Sequence, residues 1–174
     1  MVKGLQRSLS RGAPVRQEIM KATIPFSAVA LSVTGASGVG WATAVIGDFP
    51  EGNILLLGAV AYVQFDSAGG QAGIVDDWDG DFAVGTTPTA DATVTGTDAD
   101  VIPLTATTQA VAEDAPRTRA ASTASIGGTV FDNTDGALEL NLNLIVDDAD
   151  VSADGVALTA TGEIYLSYVV LGDD

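Results

Sequence analysis

The chain has 174 residues, seven basic against 23 acidic for a net charge of −16, and neither cysteine nor histidine. This excludes disulfides, thiolate metal sites and imidazole, the commonest general base and metal ligand, and leaves the redox compartment open. No lysine follows Lys21, which closes Schiff-base and Ser–Lys chemistry over the rest of the chain.

Charge is divided along the chain. Within residues 1–21, Lys3, Arg7, Arg11, Arg16 and Lys21 meet only Glu18, for about +4, whereas the remainder holds Arg117 and Arg119 against 22 acids, a net of −20. Such a division predicts a basic N-terminal anchoring arm (1–21) and a single acidic domain (22–174) that meet different surroundings. In the arm, Lys3, Arg7 and Arg11 stack at i, i+4, i+8, while Leu5 and Leu9 project from the other side. Gly12 and Pro14 would end that turn, which is too short to be helical unless docked. The expectation is that Lys3, Leu5, Arg7, Leu9, Arg11, Arg16, Ile19 and Lys21 contact a partner; a solvated, extended tail is the plain alternative. The apolar run 22–33 is not read as a signal peptide, because its basic lead is too long and Pro25 interrupts it. No stretch reaches the ~18 apolar residues of a membrane span.

Beyond the arm the pattern is that of strands. A domain of this size buries roughly 68–70% of its unfolded surface, enough for a core, and 47% hydrophobic content argues against disorder. Candidate strands in chain order are 24–34, 41–46, 54–65, 82–84, 92–97, 101–107, 125–131, 138–144 and 156–170. The segment 54–65 is apolar at nearly every position, as a strand covered on both faces would be. Leu138-Glu-Leu-Asn-Leu-Asn-Leu144 alternates strictly, as a half-buried strand does, and 156–170 reads as one long strand or two with a bend at Gly162. Turns rich in Gly, Asp and Asn fall at 48–53, 67–73, 76–81, 132–136 and 147–155. Residues 86–100 read as a weak edge hairpin or a long exposed loop, a place where partners dock. The predicted fold is all-β, an antiparallel β-sandwich of about eight strands with jelly-roll topology, carrying an extended basic N-terminal arm.

Motifs for chemistry are sparse. Thr34-Gly-Ala-Ser-Gly-Val-Gly40 lacks the G-x-G-x-x-G spacing and reads as a glycine-rich turn. Asp76, Asp77, Asp79 and Asp81 gather oxygen ligands as Ca²⁺ sites do, but Gly80 comes too early for an EF-hand loop and no bidentate Glu follows, so turns are the plainer reading. No cofactor is expected. Paired carboxylates for glycoside hydrolysis would need a cleft, and aromatics make up only 6% of the chain. Arg117 and Arg119 fit pairing with surface or subunit carboxylates, or an anion clamp. The acidic body would repel nucleic acid, and the arm has no aromatics to stack on bases.

Three stretches carry a family resemblance: M-V-K-G-L-Q-R-S-L-S-R-G (1–12), E-G-N-I-L-L-L-G-A-V-A-Y (51–62), and L-N-L-I-V-D-D-A-D-V-S-A-D-G (142–155) with L-T-A-T-G-E-I-Y-L-S-Y-V-V-L-G-D-D (158–174). Through them the chain resembles the decoration or cement proteins of tailed-bacteriophage heads. That resemblance implies a β-sandwich or jelly-roll structural protein without catalysis, often a homotrimer. It would be made in the host cytoplasm and would sit on the outer surface of the virion, with the major capsid protein lattice and other copies of itself as partners. The alternative is a phage fibre or surface adhesion β module binding a receptor or glycan, with or without calcium.

Overall fold

The computed structural model describes residues 18–172 apart from 36, 37, 68, 71 and 72. Nine strands and one 3-10 turn succeed one another: β1 (Met20–Val33), β2 (Gly38–Asp48), β3 (Gly52–Ser67), β4 (Gly80–Gly85), β5 (Ile102–Ala106), β6 (Ala115–Ala121), β7 (Val130–Asn133), β8 (Glu139–Val151) and β9 (Val156–Gly172). They form two antiparallel sheets, one ordered β1-β9-β3-β6 with β7 also on β3, the other β2-β8-β4-β5.

The topology is that of a rolled ribbon. Leaving out β7, the chain pairs first strand with last (β1·β9), second with second-last (β2·β8), then β3·β6 and β4·β5 at the tip. Rolling this four-rung hairpin brings β9 against β3 and β8 against β4, which closes the two sheets. This is the jelly roll expected from the strand count and spacing. β3 is paired along one edge by β9; its other edge is shared by β7 near its start and β6 near its end.

The core lies between the sheets. Ile54, Leu56, Ala61, Val63 and Phe65 of β3 face Leu140, Leu142, Leu144 and Val146 of β8 across it, all fully buried. Phe65 meets Trp78 and Phe82 edge-on, with ring centroids 6.2 and 6.0 Å apart. Such T-shaped pairs add stability beyond their burial. Gly162 lets β9 pass close to this layer, because a side-chain carbon there would collide with the Tyr62 carbonyl and the Phe26 ring. β9 nevertheless runs unbroken, so the bend considered at Gly162 does not occur. The irregularity falls on the partner instead, where β1 bulges between Phe26 and Val29 and Ala28 takes φ 51°.

Residues 125–129, expected within a strand, form a turn ahead of β7. Four further expectations change. Residues 92–97 do not form a strand: the 86–101 connection crosses the outer face of the β2-β8-β4-β5 sheet, with only a 3-10 turn at Gly96–Asp98. Its inner side covers that face, while Pro88, Ala90, Asp91, Thr93 and Thr95–Thr97 stay exposed. Second, Asn141 and Asn143, outward positions of an apparently half-buried strand, are sealed beneath it. The Asn143 amide donates to the carbonyls of Thr87 (3.0 Å) and Asp98 (2.8 Å), and its oxygen accepts from Thr89 N (2.9 Å) and Thr43 Oγ1 (2.7 Å). Val94 packs with Ala83 and Ile145 in a small second core above the sheet. Third, β6 was not legible as a strand, because Ala115-Pro-Arg-Thr-Arg-Ala-Ala121 has no apolar alternation. An edge strand tolerates Pro116, which has no N–H to offer the ladder. Fourth, the Asp147–Asp150 run belongs to β8 rather than to a turn, since β8 continues to Val151 against Gly38.

Asn143 satisfies four polar groups of the covering connection and of β2, so losing it leaves buried donors and acceptors unmatched. Asn143→Ala should lower unfolding free energy by roughly 2–4 kcal/mol. Limited proteolysis should then cut within 86–101 while β3 and β9 stay protected.

Candidate functional site

Of the expected anchor residues, Lys3, Leu5, Arg7, Leu9, Arg11 and Arg16 lie outside the described residues. Ile19 is solvent-exposed just before β1. Lys21, grouped with the arm in the sequence reading, is the second residue of β1 and sits opposite Ser167 of β9.

Residues 76–79 form a turn that leads into β4 and delivers Trp78 to the core. Its ring is fully buried and its Nε1 donates to the Glu113 carbonyl at 2.8 Å. The flanking backbone is engaged as well: Asp76 O accepts from Glu113 N, Asp77 O from Gln109 Nε2, and Asp79 N donates to Asp150 Oδ2. Asp81 lies on β4 between Ala106 and Ile145. Among the described residues no three acidic side chains are arranged to hold a metal ion. Asp79, Asp81 and Asp150 instead surround Asp147, whose carboxyl is raised above its ordinary pKa by partial burial and then by these three like charges. Asp100 is also raised, by burial, although Thr86 donates to it from both backbone and hydroxyl.

The outer face of the β1-β9-β3-β6 sheet differs in character. Direct cross-strand register places Pro25, Glu163, Tyr62 and Arg119 in one row across four strands. The next row runs Thr23, Tyr165, Val60 and Ala121. Residues directly opposite in antiparallel strands share a face, so this surface carries two of the three tyrosines. It also carries Lys21, Arg117 and Arg119, every basic residue among those described.

Arg117 pairs with Glu163 and lies over the Tyr62 ring, its guanidinium carbon 4.8 Å from the centroid. Tyr62 and Tyr165 meet edge-on at 6.3 Å. The Tyr165 hydroxyl, then Arg117, holds the Glu163 carboxyl below the ordinary range, and the same hydrogen bond raises the Tyr165 phenol. Gln64, Arg117, Thr161, Gly162 and Glu163 line a shallow cleft of about 250 Å³. Arg117 is thus matched by a carboxylate of its own chain, whereas Arg119 and Lys21 have no ion-pair partner among the described residues. Pattern reading did not find this surface, because its side chains come from four separated segments. The signal available was that the only two basic residues after Lys21 are neighbours in one short segment.

No protein-family model matches the chain, and no curated protein matches it. Among solved structures, a chain from the structure of infectious bursal disease virus Gx strain is similar over 86% of this chain and 32% of its own length, with a TM-score of 0.39 and 11% identity. No helix among the described residues is long and apolar enough to cross a membrane.

Asp147 gives a test of the acidic cluster it shares with Asp79, Asp81 and Asp150. A carboxyl with a raised folded-state pKa favours folding in its protonated form. Its unfavourable contribution is absent below the ordinary carboxylate pKa and grows as pH rises through the folded value. Asp147→Asn should therefore stabilise the protein at pH 7 by a few tenths to about 1 kcal/mol, the group being largely solvent-screened. Thermal melts should show the gain shrinking towards pH 3 and at high salt. Mg²⁺ should match Ca²⁺ at equal ionic strength; a Ca²⁺-specific rise abolished by Asp79→Ala would establish a calcium site.

Proposed function

We propose that this chain is a non-catalytic structural protein of a virus particle, a decoration or cement protein on the outside of a bacteriophage head. The observation that carries the reading is the charge division: about +4 over residues 1–21 against −20 over the rest. An acidic body stays soluble and is repelled by its own kind, while the basic segment is drawn to carboxylates of the major capsid protein lattice. The jelly roll is consistent with this by analogy only, since it also serves lectins and cupins. The cleft offers one carboxylate, Glu163, which is paired with Arg117. Acid–base hydrolysis needs a second carboxyl roughly 5–9.5 Å away, one of the pair remaining protonated.

In the anchoring reading, Leu5 and Leu9 supply most of the affinity, about 1.5–3 kcal/mol each on burial, while the charges steer approach and set register. Because β1 begins at Met20, deleting residues 2–17 should leave a folded body. That variant should no longer occupy particles in a co-sedimentation assay, and Leu5→Asp with Leu9→Asp should do nearly the same. Wild-type occupancy by the truncated protein would remove the anchor from this segment.

The fibre or adhesion reading is favoured by one feature, the exposed Tyr165 and Arg117 with the half-buried Tyr62 beside the cleft. Under it, Tyr165→Ala should abolish binding on a glycan array and leave particle occupancy unchanged.

A further inference from the structure

We propose that the outer face of the β1-β9-β3-β6 sheet is a self-association surface that receives the carboxylate edge formed by Asp79, Asp81, Asp147 and Asp150 of a second copy. The two sheets are finished differently. The outer face of β2-β8-β4-β5 is roofed by the chain's own 86–101 connection, whose Val94 packs onto Ala83 and Ile145. No equivalent segment among the described residues covers the other sheet. The 122–129 turn only fills the gap between β6 and β7 along the edge of β3, bonding to Leu56 and Ala59.

The sequence of β3 is apolar on both sides, yet only its inward side is sealed. Leu57 and Tyr165 on the outward side remain 41% exposed each, with Val130 at 54%. An apolar strand covered on one face leaves the other available to a second body.

Charge decides which body. Every described cation lies on this face, together with Glu163, Asp66 and Asp132, and Arg119 and Lys21 are left without an ion-pair partner among the described residues. The other acids of the chain lie elsewhere in large excess, and Asp147 sits among like charges that no described cation offsets. A carboxylate edge brought onto Arg119 and Lys21 offsets both imbalances at once. The area suffices: four strands about 4.8 Å apart and roughly ten residues long present on the order of 600 Å² in projection, near the ~800 Å² per partner of stable interfaces. Face and edge are different patches, so the contact is heterologous and closes into a ring or extends as a filament. The inference goes beyond the proposed function and is independent of attachment to a particle.

The test is charge exchange on the full-length protein, followed by sedimentation velocity at moderate salt. One variant carries Lys21→Glu and Arg119→Glu, the other Asp147→Lys and Asp150→Lys. Each alone should weaken association by roughly tenfold or more. An equimolar mixture should recover it, because reversed face then meets reversed edge. Recovery on mixing also shows that both variants are folded. A wild-type protein that stays monomeric, an oligomer indifferent to either variant, or no recovery from two variants with native circular dichroism would overturn the proposal. Particle occupancy, scored separately, reports on the capsid reading: its loss with the oligomer intact counts against that reading alone.

Discussion

The ladder between β3 and β9, running from Asn53 to Ser67 on one strand and from Leu158 to Gly172 on the other, is the contact on which the rest of the molecule depends. It joins the third strand of the rolled ribbon to its last and so converts a long hairpin into a closed sandwich. Its inward positions put Phe65 against Trp78 and Phe82, and its outward positions set Tyr62 beside Glu163 and Tyr165. Close approach makes both possible, and Gly162 is the residue that permits it. The pairing is also remote in sequence, so a large loop-closure entropy must be met before burial rewards it.

The two sheets answer the problem of a second face in different ways. One uses the chain itself: Gly85 lets the 86–101 connection cross tightly, Asn143 bonds to it from below, and Val94 fills the space left. The other presents aromatic and basic side chains held in a fixed arrangement, with Arg117 clasped between Glu163 and the Tyr62 ring. A surface ordered in this way loses little side-chain entropy on meeting a partner.

Electrostatics run through the whole molecule without deciding its fold. Among the described residues there is one ion pair, and it is exposed, so it adds little to stability. The acidic cluster of Asp79, Asp81, Asp147 and Asp150 instead opposes compaction, and the sandwich is held by its apolar interior. What the charges govern is approach and exclusion: phosphate and other acidic surfaces are repelled except at the one sheet face where the cations gather.

Much of the architecture was legible in the order of residues. Alternation at 138–144, the length of 156–170 and the spacing of Gly- and Asp-rich turns specify strands, and strands of that number without helices specify a sandwich, because period-2 patterning depends only on neighbouring residues. The −20 body and the basic segment are likewise properties of the chain alone. Three things needed the tertiary structure. β6 is a strand because an edge of β3 is open to it, although its residues carry no strand pattern. Asn141 and Asn143 are buried because a segment some fifty residues earlier in the chain folds over them. The site row of Pro25, Glu163, Tyr62 and Arg119 exists only where four distant segments fall into register, and register is set by the packing of the opposite, inward face.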